Sequence, residues 1–326
     1  MSAVLERPRV ERQKVELGPI DLHYASAGRG PTVLLCHGWP ETWRSWRHQL
    51  QALAAEGYRA IAPDMRGFGA TSAPVNVDDY TVLNHVGDMV ALLDHLKVAS
   101  AVIVGHDWGA AVAWHAALLR PDRFRAVVGM SVPWAPRGPA SHGALLRRTG
   151  LERFYMTYFQ TQGRAEAELG RDVARSLRLV MHGLSGEAAR PWDGMVPHDG
   201  LLAAFEEPRR LPAWLDEMEL AAMVESFERS GFRGGLNWYR NLDRNWALMA
   251  PFAGQPIRQP ALFVAGTQDP VLGFPGLKRA AADLKAGIPN LRADLRLACG
   301  HWVQQERPRE VNEALLDFLG ALPAIR

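Results

Sequence analysis

The chain reads as an α/β protein with a mostly parallel central sheet, helices on both faces and one long helical insertion. Three observations predict this. Over the first third, short apolar runs rich in strand formers alternate with segments of helical spacing. From about Pro136 to Met249 the alternation stops, and the sequence becomes helical, with scattered proline and glycine and no clear strand. Two more strand patterns and a closing helix then return.

The elements follow in order. KVELGPIDLHYASAG reads as two strands around a Gly-Pro turn. TVLLCH is a short buried strand. The helical spacing from Thr42 to Glu56 stops at Gly57. RAIAPDM is a strand, and Val82 to Leu96 repeats apolar residues at three and four, as a helix does. AVIVGHD is a strand, WGAAVAWHAALLR a helix, and FRAVVGMSV a strand again. After the insertion, PALFVAG and LRADLRLACGH read as strands. PREVNEALLDFLGAL is a helix with Pro308 suited to its first turn. This divides the chain into a core, 1–136 with 250–326, and a helical lid, 137–249. The lid is expected over the carboxyl edge of the sheet, where open α/β sheets bind ligands.

Composition narrows the function classes. The 326 residues carry a formal net charge of +2 and are 48% hydrophobic. That is enough for a substantial core. No run of like charges points to nucleic acid or an anionic membrane. No apolar stretch reaches the roughly 18 residues of a membrane span. The mixed, charged N-terminal stretch MSAVLERPRVERQKVEL lacks the apolar segment of a signal peptide, so the expectation is a cytoplasmic protein, monomeric or homodimeric. The two cysteines, Cys36 and Cys299, sit in strand-like runs and read as buried reduced thiols. No HExxH, P-loop or GxGxxG occurs, so neither metal nor cofactor is implied.

The most specific signal is VIVGHDWGAAVAW. Gly105, Asp107 and Gly109 follow the pattern glycine, any, nucleophile, any, glycine, between a strand and a helix. The sharp turn needs small residues on either side and lifts the middle side chain to the top of the sheet. Here that residue is an aspartate. A carboxylate is ionised at neutral pH and attacks without a base. Attack at a saturated carbon gives an alkyl ester, which water can cleave at the Asp107 carbonyl. Serine would leave an inert ether. The substrate should therefore be electrophilic at an sp³ carbon, as an epoxide or alkyl halide is.

Ester cleavage needs donors for an oxyanion. The backbone N–H groups of Trp108, after the nucleophile, and of Trp39, in the loop CHGWP, are the candidates. Pro40 rigidifies that turn. The acid and histidine should follow in that chain order. Asp269 lies just past the strand ALFVA and His301 just past LRLA, so both fall at the same sheet edge. His301 would activate water and Asp269 would orient its ring. An epoxide oxygen stays attached as an alkoxide and needs a proton donor, a role that suits tyrosine. Tyr155, Tyr158 and Tyr239 lie in the insertion, but spacing alone reads them as packing.

The motifs HGWP, DMRGFGATSAP, GHDWGA, FYMTYFQ, GFRGGLNWYRN and CGHW together resemble the epoxide hydrolases of the α/β-hydrolase superfamily, over nearly the whole chain. The resemblance implies that Asp107 is the nucleophile, with Asp269 and His301 behind it. It further implies that Tyr155 and Tyr239 are the lid tyrosines that hold the epoxide oxygen. A substrate pocket walled by Trp39, Pro40, Trp108 and Trp238 is expected, taking a small apolar epoxide and water. The lid of that family follows the sixth sheet strand. Haloalkane and haloacid dehalogenases use the same nucleophile and are the alternative. Many haloalkane dehalogenases carry asparagine where this chain has Trp39.

Overall fold

The computed structural model describes residues 8–323. The first seven residues of the charged N-terminal stretch lie outside them.

Eight strands form one sheet: β1 (Glu11–Glu16), β2 (Asp21–Ala27), β3 (Thr32–Cys36), β4 (Arg59–Pro63), β5 (Ala101–His106), β6 (Phe124–Met130), β7 (Ala261–Gly266) and β8 (Leu291–Leu297). Their spatial order is β1-β2-β4-β3-β5-β6-β7-β8. β1 and β2 pair antiparallel, as does β2 with β4, and every later pairing is parallel.

The inner strands are apolar throughout because both of their faces are covered. Side chains alternate between two cores. Leu34, Ile103 and Val127 face one side, with α2 (Val82–His95) and α3 (Trp108–Leu119). Leu35, Val104 and Val128 face the other, with α1 (Arg47–Ala55) and the terminal helix. A 3-10 turn at Trp43–Trp46 leads into α1, with the Thr42 side chain capping the turn's N-terminus.

Between β6 and β7 lie seven helices: α4 (His142–Arg148), α5 (Tyr155–Tyr158), α6 (Arg164–Leu169), α7 (Val173–Gly183), α8 (Glu217–Ser230), α9 (Arg233–Arg240) and α10 (Leu242–Leu248). The sheet-like feature in this stretch is an isolated bridge, Phe154 to Met195. The remaining helices are α11 (Leu277–Ala282), α12 (Leu284–Gly287), α13 (Val303–Glu306) and α14 (Pro308–Gly320).

Specific contacts fix the inserted helices over the sheet. Trp238 Nε1 donates to the Arg66 carbonyl at 3.1 Å. Val82 N–H donates to Asn245 Oδ1 at 2.9 Å. Arg44 grips Glu219 through two hydrogen bonds, of 2.9 and 2.6 Å. Backbone meets backbone where α9 crosses the loop after β4, and a Cβ on Gly234 would stand 2.3 Å from the Gly67 carbonyl oxygen. Cys36 and Cys299 are buried free thiols.

Candidate active site

Asp107 sits on the turn between β5 and α3. Its backbone is held at φ 52° and ψ −120°, a conformation that costs energy for any side chain but glycine. The flanking glycines make this turn possible. A Cβ on Gly105 would lie 1.9 Å from the Gly109 carbonyl oxygen, and one on Gly109 would lie 2.0 Å from that of Cys36. The carboxylate therefore stands at the carboxyl edge of the sheet and faces a cavity. Trp39 N–H donates to Asp107 Oδ1 at 2.8 Å, and the Trp108 N–H also supports the carboxylate. Burial raises the Asp107 pKa above 3.8, against the pull of His301, His106 and those two N–H groups.

Asp269 and His301 arrive from beyond the ends of β7 and β8. His301 Nε2 lies 3.7 Å from Asp107 Oδ2. Its Nδ1 lies 3.1 and 3.2 Å from the two Asp269 oxygens. Val271 N–H holds Asp269 Oδ1 at 2.9 Å. Burial alone would lower the His301 pKa, but the charge and hydrogen bond of Asp269, with Asp107 and Glu41 behind them, raise it to about 9. Burial alone would raise the Asp269 pKa, but His301, the Ser131 hydroxyl and Val271 N–H hold it below 3.8. The two carboxyl groups on either side favour the charged form of the His301 ring.

Tyr155 and Tyr239 close the cavity from above, on α5 and α9. Their rings are 5.7 Å apart, and Tyr239 meets the Trp108 indole edge-on at 5.0 Å. Burial, then the Asp107 charge, raises both phenols well above 10. Both remain protonated donors at neutral pH. Tyr158 turns away and donates to Glu168 at 2.5 Å.

Two cavities meet at Asp107. One, of about 220 Å³, is walled by Trp108, Trp134, Phe154, Trp238 and Phe274 among others. The other, of about 20 Å³, lies beside His301, Trp39 and Leu184. Trp39, Trp108 and Trp238 thus take cavity positions. The pocket expected from sequence needs one correction, because Pro40 lines neither cavity. It is buried in the turn, and the neighbouring Trp39 indole forms the wall instead.

Sequence reasoning missed two features of the site. Ser131, just past β6, has φ 66° and brings its Oγ to 2.8 Å from His301 Nδ1. A lone serine after a strand gives no signal in the sequence. The second is a buried polar network around Glu41. The Glu41 carboxylate accepts from Gly38 N–H, Gln304 and Gln305, and lies 2.8 Å from His106 Nδ1. His106 Nε2 lies 2.8 Å from the His301 carbonyl. Both ring nitrogens therefore face oxygen atoms. Burial would raise the Glu41 pKa, but His106 and Gly38 N–H hold it at about 2. The network ties the Asp107 turn, the Trp39 loop and the His301 loop together.

The family description of the alpha/beta hydrolase fold matches residues 31–308. Epoxide hydrolase A of Mycobacterium tuberculosis is 45% identical over 314 residues, covering 94% of this chain and 97% of that protein. The chain belongs to the epoxide hydrolases of the α/β-hydrolase fold. An epoxide hydrolase of Caballeronia sordidicola is 41% identical, covering 97% of this chain and 95% of its own. Among solved structures, an epoxide hydrolase from an endophytic Streptomyces superposes with a TM-score of 0.92 at 45% identity, covering 95% of each chain. Epoxide hydrolase A of Mycobacterium thermoresistibile gives 0.91 at 43% identity, covering 97% of this chain and all of its own. In an epoxide hydrolase the face where Asp107, His301 and the two tyrosines converge is the place to seek the chemistry.

Proposed function

We propose that this chain converts an epoxide and water to a vicinal diol through an alkyl ester on Asp107. One observation carries the reading: a carboxylate gripped by the Trp39 N–H at 2.8 Å, with His301 on one side and two phenols across the cavity.

In the first step Asp107 Oδ2, the oxygen turned from the Trp39 N–H, attacks a ring carbon. The carbon–oxygen bond of the epoxide breaks. Tyr155 and Tyr239 hydrogen-bond to the departing oxygen and protonate it. The phenol is restored by the proton that His301 carries at rest. His301 thereby becomes neutral as the Asp107 charge disappears into the ester. In the second step neutral His301 takes a proton from water, and the hydroxide adds to the Asp107 carbonyl carbon. The N–H groups of Trp39 and Trp108 hold the oxyanion. Collapse expels the diol oxygen, which takes the carboxyl proton. Asp107 returns as a carboxylate and His301 as an imidazolium, so the cycle balances.

The large cavity is mostly apolar, which fits an apolar epoxide. The helical segment 137–249 would act as the lid that carries both tyrosines and keeps bulk water out. A cytoplasmic monomer or homodimer remains the reading for the whole protein. Among the described residues, no helix is long and apolar enough to cross a membrane.

The test is His301→Gln mixed with styrene oxide. The ester should form more slowly than in the wild type, the phenol regaining its proton from water instead of His301, and should then persist, adding the mass of the substrate to the protein. Normal turnover by that variant would overturn the mechanism.

A further inference from the structure

The larger cavity runs from the nucleophile along one face of α3. Trp108, Ala111, Val112 and His115 all line it, at the three- and four-residue spacing of one helix face. His115 lies eight residues beyond Asp107. At the rise of an α-helix this is about 12 Å from the nucleophile. That distance is the reach of an extended chain of roughly eight to ten atoms.

The chemistry of His115 is fixed by its surroundings. Its Nδ1 is 2.7 Å from the Ala111 carbonyl oxygen, which only accepts, so Nδ1 carries the proton. Nε2 has no partner among the described residues. Burial pushes the ring below 6.5, outweighing the Ala111 bond, so it is neutral at neutral pH. The Trp134 indole packs edge-on against it at 5.3 Å. His115 thus brings to this cavity, whose lining also includes His85, His142 and Asn245, a ring whose Nε2 lone pair is free to accept. A hydrogen-bond donor satisfies it, whereas a carboxylate meets repulsion and a methyl leaves it unpaired.

We propose that this site selects elongated epoxides with a hydroxyl group at the end remote from the ring, the hydroxyl donating to His115 Nε2. The inference rests on the epoxide hydrolase reading and adds a substrate class to it.

Three straight-chain terminal epoxides of equal length test it, ending in a primary alcohol, a methyl and a carboxylate. kcat/KM is measured for each at about pH 8, where a histidine neutral by burial stays neutral. The alcohol should exceed the methyl by about threefold to tenfold, the range of one neutral hydrogen bond. The carboxylate should be the poorest. In His115→Leu the alcohol should fall below the methyl, because its hydroxyl is then buried without a partner. His115→Gln, which keeps an acceptor, should bring back part of the preference. A wild-type alcohol-to-methyl ratio at or below one would overturn the proposal without any variant. So would a ratio unchanged in His115→Leu. Styrene oxide, too short to reach His115, separates the two readings. If it turns over while the alcohol gains nothing, this inference alone fails. If no epoxide turns over, the parent reading fails and takes this one with it.

Discussion

Ser131 shows how much of a site can rest on a residue with no motif. Its hydroxyl lies 2.8 Å from His301 Nδ1 and also supports the Asp269 carboxylate. It therefore helps hold the imidazolium in place. Ser131→Ala should slow ester hydrolysis about 10- to 100-fold, a hydrogen bond to charged groups contributing roughly 1.5–3 kcal/mol. The alkaline limb of its pH profile should move down from the wild-type position. That position follows from His301. Alkylation needs an ionised Asp107 and is fastest when His301 is protonated, so kcat/KM should be bell-shaped. The acid limb should lie above the usual 3.8 and the alkaline limb near 9. Stopped-flow tryptophan fluorescence, read through Trp39 and Trp108 beside Asp107, follows the alkylation step. A flat profile from neutral pH to pH 10 would remove the proton-supply role of His301. Asp107, Asp269 and His301 stood out as candidates because each lies just past a strand pattern with glycine or turn residues nearby, and the structure brings the three side chains together. The tyrosines were not legible from spacing, because a buried aromatic on a lid helix looks the same whether it packs or donates. Resemblance alone singled them out.

At the scale of elements, two glycine contacts position the chemistry. The turn at Asp107 works because Gly105 and Gly109 let backbone approach to 2 Å of where a Cβ would stand. Gly234 does the same for α9, where it crosses Gly67, and α9 carries Tyr239 five residues on. Gly234→Ala should push that helix outward and carry the phenol with it. A displacement of about 1 Å at a reacting group can cost about 100-fold in rate. The expected outcome is a loss of 10- to 100-fold in the alkylation rate, with Tm lowered by a few degrees. An unchanged rate would mean that α9 adjusts without moving Tyr239. The contact also explains two motifs that sequence could show but not connect. DMRGFG and GFRGG lie far apart in the chain and meet backbone to backbone in the fold. The strand and helix pattern of the core was readable because short apolar runs rich in β-branched residues alternate there with longer helical segments. The inserted helices were readable only as a helical block, since each is short and its partners lie elsewhere. The short helices α11 and α12, between β7 and β8, left no periodic pattern long enough to read.

Over the whole molecule, buried titrating groups shape stability on both sides of neutrality. Burial lowers the pKa of His37, His85, His115 and His142 below 6.5. The unfolded chain takes up these protons first, so stability is lost as pH falls below 6.5. The Glu41 pKa is held at about 2, so its contribution is full above 4.5 and lost as pH falls toward 2. The His301 pKa is raised to about 9, so its contribution is full below 6.5 and lost as pH rises through 9. Tm should therefore peak near pH 6.5 and fall on both sides. In His301→Gln the fall above the peak should be weaker, and a wild-type Tm that climbs steadily to pH 9 would contradict this balance. The central claim concerns one bond, the ester on Asp107. The most direct measurement is a single turnover of styrene oxide in heavy-oxygen water, followed by mass spectrometry of the peptide that holds Asp107. Diol is expected together with heavy oxygen in the Asp107 carboxylate, because water attacks the ester carbonyl. Diol carrying the heavy oxygen itself, with an unlabelled peptide, would contradict the account and make Asp107 a base for direct attack by water.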